Sequence, residues 1–103
     1  MIQSGVLAVG KAHFESAAPD WNLLAGEGWR TYSRTICFDS SFNVPPKVHV
    51  ALSALDILQG ANTRIFCRAT NISETNFELE IGTWCDTHVW GATVSWIAFG
   101  EGT

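Results

Sequence analysis

A short polar stretch near the C-terminal end carries the side chains most suited to chemistry. Trp84, Asp86 and His88 lie in it, and Trp90 follows at the start of a strand-like segment. A pyranose sugar has one face of C–H groups and a rim of hydroxyls, so its receptor needs an aromatic surface beside groups that form charge-assisted hydrogen bonds. These residues, together with Arg64, supply that set and indicate carbohydrate binding.

Several of these side chains also have a purely structural interpretation. Trp90 could belong to the core, to a subunit contact or to the site. His88 is of a type that is common in solvated turns. Arg64 could pair across strands with Glu78 or Glu80. The sequence leaves these alternatives open.

Catalytic chemistry is disfavoured by size and spacing. Asp86 with Glu27 or Glu78 could supply the two carboxylates of a glycosidase, but so thin a domain offers little depth to exclude water. Cys85 and His88 are too close in sequence to indicate a thiol hydrolase. Cys85, Asp86 and His88 are near neighbours in sequence, but no second pair of ligands follows at a spacing typical of zinc sites. We therefore expect no enzyme, no metal and no cofactor.

The polar stretch lies between two segments with the alternation of β-strands. Residues 77–81 alternate cleanly, and within 89–99 every second residue is apolar, which is the period of two of a strand with a buried face. The pattern predicts a hairpin whose connection carries the polar stretch. Loops of this kind often hold binding residues. Trp96, in the middle of the second strand, is predicted to lie in the core.

Four earlier segments complete the predicted architecture. Turn and loop residues separate them, including Pro45-Pro46, the turn at 60–62 and the long stretch 16–28. The predicted strands are 5–11, 30–38, 47–55 and 63–71, and the third has Val48, Val50, Leu52 and Ala54 on one face. Strands of this spacing joined by turns predict an all-β fold, a six-stranded antiparallel β-sandwich.

Length, composition and charge limit the function classes. At 103 residues, 47% of them hydrophobic and 16% charged, the chain is the size of one domain spanning residues 1–103 and is unlike disordered chains. Only six Lys and Arg and a net charge of −4 argue against nucleic-acid binding. No apolar run has the length of a membrane span. The N-terminus has no signal-peptide pattern, so the chain is either a mature secreted form or was never routed by such a peptide, and we expect an extracellular protein.

Three cysteines, Cys37, Cys67 and Cys85, cannot all pair within one chain. An odd count leaves a free thiol or a link to another chain. Cys37 and Cys67 lie in strand-like segments, where free cysteines commonly act as small apolar side chains. We expect both of them to be buried.

The predicted fourth strand has one face of mixed character. Arg64, Phe66 and Arg68 share that face. Faces that are neither wholly apolar nor wholly polar often bury against another subunit. This strand is therefore predicted to lie at a subunit contact.

An ordered set of short motifs extends along nearly the whole chain. It consists of Gln3-Ser4-Gly5, Phe38-x-x-x-Phe42-x-x-Pro45-Pro46-x-Val48, Leu55-Asp56, Arg64, Asn71-Ile72 to Phe77, Trp84-x-Asp86-Thr87-x-Val89-Trp90 and Val94-Ser95-Trp96-Ile97-Ala98. The set resembles the H-type lectins, the group that includes snail agglutinins and the C-terminal domain of discoidins. The resemblance implies a six-stranded antiparallel sandwich that forms trimers, sometimes paired into hexamers, and binds galactose or N-acetylgalactosamine at the boundary between protomers.

The resemblance also assigns roles to residues. Trp84 matches the family's site tryptophan, Asp86 stands where the family has Asn or Asp, and Arg64 matches the arginine that a neighbouring subunit offers to the sugar. The implied site is therefore shared between chains. The shared site is the arrangement we expect. The sequence also allows Arg64 and Trp84 of one chain to lie close together, because neighbouring antiparallel strands bring the start of one beside the end of the next.

Some positions depart from the family pattern. Cys85 replaces a histidine of the snail members, and Trp90 replaces a tyrosine. The acidic residue of the family's early loop is matched best by Glu27, with Asp20 as the alternative. A family cysteine near residue 9 is missing, which removes the intrachain disulfide of the snail proteins.

The predicted function is that of a lectin for galactose or N-acetylgalactosamine that agglutinates through multivalency and serves cell adhesion. Its expected partners are glycans bearing these sugars and further copies of the chain, as a homotrimer or a dimer of trimers, because several weak sites on one rigid body raise avidity. The alternative is a non-catalytic adhesion module that binds protein partners through an edge strand or an apolar patch.

Overall fold

Six β-strands form two antiparallel sheets in the computed structural model, which describes residues 1–11 and 20–102. The strands are β1 Ile2–Gly10, β2 Arg30–Cys37, β3 Lys47–Ile57, β4 Phe66–Thr70, β5 Asn76–Thr83 and β6 Val89–Phe99. The sheet orders are β1-β6-β3 and β2-β5-β4, and all four strand pairs are antiparallel. The predicted six-stranded antiparallel β-sandwich is confirmed. Positions 16–19 of the predicted long loop lie outside the described residues, and the described part holds no helix long and apolar enough to cross a membrane.

The core lies between the sheets, because each sheet contributes one apolar face. Phe77 and Leu79 of β5 and Val94 and Ala98 of β6 are fully buried. Burying a side chain as large as these Phe and Leu residues contributes about 1.5–3 kcal/mol. Trp96 packs against the cluster with its ring centroid 5.4 Å from that of Phe77, so its predicted place in the core is confirmed.

The predicted hairpin between the last two strands is wrong. β5 is the central strand of one sheet and β6 is the central strand of the other. Both edges of each are already paired, β5 with β2 and β4, and β6 with β1 and β3. Neither strand has a free edge for the other, so residues 84–88 cross from one sheet to the other and lie at one end of the sandwich.

A β-bulge in β3 changes which of its side chains face the core. Leu52 pairs with Val94, but Ala54 pairs with Thr93, so Ser53 is an extra residue that inverts the alternation. Val48, Val50 and Leu52 pack against the core as predicted. Ala54 is exposed, and the prediction that it shares their face is wrong.

The environments of the cysteines differ from the expectation at one position. Cys37 is exposed, because its neighbour Ile36 faces the core and alternation turns Cys37 outward. Cys67 is half-buried and packs against the core, and this burial raises the pKa of its thiol. Cys85 is exposed, and all three thiols are free in the described part of the chain.

Candidate functional site

Two loops meet at one end of the sandwich, residues 25–29 before β2 and residues 84–88 between β5 and β6. They meet because β2 and β5 are antiparallel, which places Arg30 opposite Thr83. The backbone N–H of Gly28 donates to the carbonyl of Cys85 at 2.9 Å. Gly28 and Cys85 have φ values of 78° and 57°, a region that glycine enters freely and cysteine only where its surroundings hold it.

Arg30 ties the two loops together. Its guanidinium donates to four backbone carbonyls at 2.9–3.0 Å, those of Ala25, Gly28, Cys85 and Thr87. A guanidinium suits this task because its donors lie in one rigid plane. We call this arrangement the Arg30 clamp. The sequence did not predict the Arg30 clamp. Every residue has a backbone carbonyl, and the sequence does not show which carbonyls of two distant loops will face one side chain.

Arg64 and Asp86 form an ion pair beside the clamp. The Nη1 atom of Arg64 lies 2.7 Å from Oδ1 of Asp86, and the two side chains are 22% and 63% exposed. Nη1 also lies 3.2 Å from Oγ1 of Thr87. The hydroxyls of Thr83 and Thr87 donate to the carbonyls of Arg64 and Asn62. The arginine is thus held at its backbone and its side chain, while the carboxylate stays open to solvent.

The carboxylates predicted as alternative partners of Arg64 are engaged elsewhere. Glu80 pairs with Arg68, which lies directly opposite it in the β4–β5 register. Oε2 of Glu78 accepts a hydrogen bond from Nδ2 of Asn71 at 2.9 Å. The alternative in which Arg64 pairs across strands does not occur, because Arg64 precedes β4 and lies outside this ladder.

Two adjoining clefts share the ion pair. Their volumes are about 510 and 450 Å³, within the roughly 300–1,000 Å³ usual for small-ligand sites. Together they are called the Arg64–Asp86 cleft below. Besides Arg64 and Asp86, the larger part is lined by Glu27, Gly28 and Cys85, and the smaller part by Gly60, Ala61 and Asn62.

Three aromatic rings form a plate next to the cleft. Trp29 stacks on Phe66 with ring centroids 4.9 Å apart, and Trp84 lies 6.3 Å from Trp29 and 6.4 Å from Phe66. Gly82 makes this possible, because a Cβ there would lie 2.1 Å from the Phe66 ring. We call these three residues the aromatic plate. It adjoins the cleft because Trp29 follows Gly28 and Trp84 precedes Cys85 in the chain.

The structure brings four of the predicted site residues together. Glu27, Arg64, Cys85 and Asp86 line the larger part of the cleft. Trp84 does not line it, and its ring lies in the aromatic plate instead. The charged and aromatic groups expected of a sugar receptor are thus side by side on one surface.

Two predicted site residues lie away from the cleft lining. Trp90 is half-buried and sits at a shift in register, because Gly91 pairs with Asp56 while Val89 pairs with Ile57. The ring atom Nε2 of His88 lies 3.1 Å from the carbonyl oxygen of Gly26. His88 therefore supports the early loop rather than facing the cleft.

The two early-loop carboxylates differ in their surroundings. Oδ1 of Asp20 accepts a hydrogen bond from the hydroxyl of Tyr32 at 3.1 Å. Tyr32 is buried, and burial is the main cause that raises the pKa of its hydroxyl, so it remains a donor. Glu27 is exposed and lines the cleft. Of the two, Glu27 is the one that lines the cleft.

One chain alone forms the ion pair. The family resemblance assigned Arg64 to a neighbour's site, whereas in this structure it contacts Asp86 of its own chain, as the sequence also allowed. The mixed face on which Arg64 was expected has partners within the chain too. The guanidinium carbon of Arg68 stands 5.1 Å from the centre of the Phe66 ring, and that ring stacks on Trp29.

The chemistry of the site is that of polar recognition. A guanidinium donates hydrogen bonds, carboxylates accept them from hydroxyls, and an indole packs against C–H groups. Within residues 1–11 and 20–102, no group of three or more His, Cys, Asp or Glu side chains is placed to hold a metal ion.

Comparisons with known proteins give a family and a relative in sequence. Residues 33–99 match the family model described as the H-type lectin domain. A protein of Fuscovulum blasticum, named ATP synthase subunits region ORF 7, is 31% identical over 88 residues, which are 85% of this chain and 76% of that protein.

Two solved structures have the same fold. They are the native recombinant and the wild-type discoidin II of Dictyostelium discoideum, with TM-scores of 0.80 and 0.82 and 24% identity to this chain. The matches cover 95% and 98% of this chain but 36% of each discoidin chain. The chain therefore spans little more than a third of the length of these structural relatives.

Proposed function

We propose that this chain, which belongs to the H-type lectin family, binds galactose or N-acetylgalactosamine in the Arg64–Asp86 cleft. Membership of a lectin family makes it a non-catalytic carbohydrate-binding protein. One observation supports this location of the site. The exposed carboxylate of Asp86 lies 2.7 Å from the guanidinium of Arg64, and this ion pair lies directly beside the aromatic plate. The proposed domain is the whole of residues 1–103, since β1, outside the matched residues, pairs along β6.

A sugar would meet a donor and an acceptor side by side. Arg64 donates to one hydroxyl while Asp86 and Glu27 accept from others, and Trp84 packs against the C–H face of the ring. Galactose and N-acetylgalactosamine suit this arrangement because their axial hydroxyl at C4 leaves a continuous C–H patch on one face. The carboxylate of the pair is 63% exposed, and solvent keeps the net value of an ion pair with such a partner small.

We extend the proposal to a homotrimer or a dimer of trimers that agglutinates through multivalency. The support is an apolar face on the outer side of the β1-β6-β3 sheet, where Ile2, Val6, Ile97 and Phe99 are 70%, 65%, 38% and 44% exposed. Apolar faces of this kind mark association sites. Cell-surface glycans lie outside the cell, and the proposed location is therefore extracellular. A sedimentation profile containing only monomer would contradict the assembly.

Alkylation of the cysteines tests the location of the site. Cys85 lines the cleft and is exposed, and Cys37 is exposed at the far end of β2, roughly 20 Å along the strand at about 3.3 Å per residue. Iodoacetamide labelling, followed by mass spectrometry of each cysteine, is expected to slow at Cys85 when the methyl glycosides of galactose or N-acetylgalactosamine saturate the protein. Labelling of Cys37 should not change.

A control sugar and a second cysteine serve as references for this measurement. Methyl mannoside serves as the control sugar and is expected to leave the labelling of Cys85 unchanged. Cys67 should react more slowly than Cys37 at neutral pH, because burial raises the pKa of its thiol and only the thiolate reacts. If calorimetry detects sugar binding but the sugar does not slow the alkylation of Cys85, the site lies elsewhere on the protein. If no saccharide binds, the result favours the protein-binding adhesion module.

A further inference from the structure

We propose that the aromatic plate provides a second subsite, in which Trp29 binds the sugar unit linked to the one held at Trp84. This inference rests on the proposed carbohydrate function. It assigns the cleft a ligand of two or more linked sugars instead of a single monosaccharide.

Trp29 presents a free aromatic face. Its side chain is 63% exposed, more than that of Trp84 at 37%. One face of its ring is covered, because it stacks on Phe66 at 4.9 Å with an interplanar angle of 23°. The exposed area is therefore the opposite face and the edges. Leaving so large an apolar surface in water is unfavourable, which is why exposed aromatic patches mark binding sites.

The plate is held in place before any ligand arrives. The Arg30 clamp and the bond from Gly28 to Cys85 fix the two loops from which Trp29 and Trp84 project. The planes of the two indoles differ by only 27° and their centroids are 6.3 Å apart. That distance is comparable to the spacing of neighbouring rings in a linked pair of sugars. A rigid plate binds such a pair with little loss of conformational freedom.

A glycan fits this surface better than a second copy of the chain does. The plate continues directly into the proposed cleft, and its outer border is charged, because Arg68 and Glu80 pair beside Phe66. Sugars need a stacking surface with polar groups at its rim. A more apolar face, that of Ile2, Val6, Ile97 and Phe99, lies on the other sheet and is the one suited to self-association.

Titration calorimetry of Trp29 variants tests the subsite. The probes are the methyl glycosides of galactose and N-acetylgalactosamine, and di- and trisaccharides that end in these sugars through α and β linkages. The wild type is expected to bind at least one oligosaccharide about three- to tenfold more tightly than its terminal methyl glycoside, the range of one aromatic stacking contact. Trp29→Ala should lose this gain and keep the affinity for the methyl glycoside.

Further variants separate aromatic stacking from a structural effect. Trp29→Phe retains a ring and should keep part of the gain. Trp29→Leu still covers Phe66 but lacks an aromatic face, and should lose the gain even if Trp29→Ala folds poorly. Val44→Ala, at another exposed apolar side chain, should change nothing. Trp84→Ala is expected to weaken the binding of every probe.

The possible outcomes separate this inference from the proposed function. If the wild type binds no saccharide, the proposed function itself is wrong. If it binds the methyl glycosides and no oligosaccharide more tightly, or if Trp29→Ala weakens all probes equally, the second subsite is refuted and the lectin function stands. A changed sedimentation coefficient for Trp29→Ala would make the plate a subunit contact, which also refutes the subsite.

Discussion

Two arginines at the same end of the sandwich use their hydrogen bonds differently. Arg30 donates to four backbone carbonyls in two loops. Arg64 contacts an exposed carboxylate and one threonine hydroxyl. A backbone carbonyl is fixed by the fold, whereas an exposed carboxylate can exchange its partner for a ligand. The groups that accept the hydrogen bonds, and not the arginine itself, therefore determine whether an arginine has a structural role or a role in recognition.

Removing the Arg30 clamp should lower both the stability of the fold and the affinity of the site for sugar. Arg30→Met leaves four carbonyls without this donor, so we expect a loss of at least about 2 kcal/mol of unfolding free energy. For a chain of this size the midpoint of thermal unfolding should fall by roughly 8 °C or more. Sugar affinity should fall as well, because the loops at 25–29 and 84–88 are no longer held together. Circular dichroism and calorimetry measure the two effects.

Arg34→Met is the matched control on the same strand. Arg34 donates to the hydroxyl of Tyr32, so its removal should lower the unfolding midpoint less and leave sugar affinity unchanged. An Arg30→Met protein with wild-type stability would show that the clamp does not hold the loops.

Removing Arg64 should weaken binding strongly and lower stability only slightly. Arg64→Ala loses a surface ion pair worth about 0–1 kcal/mol, so the unfolding midpoint should shift by a few degrees at most. Binding of methyl galactoside should weaken by about 1.5–3 kcal/mol, the value of a hydrogen bond to a charged group, or roughly 10- to 150-fold. Lys47→Ala, at an exposed cation that does not line the cleft, is the control. If Arg64→Ala has an unfolding midpoint as low as that of Arg30→Met, Arg64 has a structural role like that of Arg30.

Mixed oligomers test whether Arg64 acts within its own chain. Because Arg64 and Asp86 of one chain are in contact, mixing Arg64→Ala chains with Trp84→Ala chains should restore no binding. Partial recovery would instead mean that Arg64 serves the neighbour's site, as the family resemblance implied.

The smallest effect is expected at the rim of the cleft. Glu27→Gln keeps the shape of the side chain and removes its charge, so sugar affinity should fall by about 0.5–1.5 kcal/mol. Asp20→Asn should leave affinity unchanged, because Asp20 is bonded to Tyr32 and does not line the cleft. Calorimetry with methyl galactoside compares the pair. Equal losses from both substitutions would mean that the early loop acts as a whole.

Alternation in the sequence predicted the strands well but not their partners. The last strand was predicted at 89–99 and occurs at Val89–Phe99, because apolar periodicity follows directly from having one face in the core. Pairing depends on which edges are free once all strands are in place, and that information is not local. The hairpin prediction failed for this reason, and the fourth strand begins only at Phe66 instead of at 63.

The site was predictable where side chains carry the chemistry. Arg64, Asp86, Cys85 and Glu27 were named from residue type and family resemblance, and the fold brings them together. Arg30 was missed, because its partners are backbone carbonyls that every residue has. Trp29 was missed, because it lies between the predicted loop at 16–28 and the predicted strand at 30–38. Trp21 of the same loop is buried, so residue type alone does not mark a tryptophan there as exposed.

The crossing at 84–88 also determines how the molecule bears load. This segment joins β5 to β6, the two strands that are hydrogen-bonded along both edges. Tension passed to Cys85 and Asp86 by a glycan held at the proposed cleft would enter the fold at that junction and be shared among four inter-strand ladders. An edge strand can be peeled away from one neighbour, but a central strand must shear past two. The part of the proposed attachment point formed by residues 84–88 is therefore anchored in the two central strands of the sandwich.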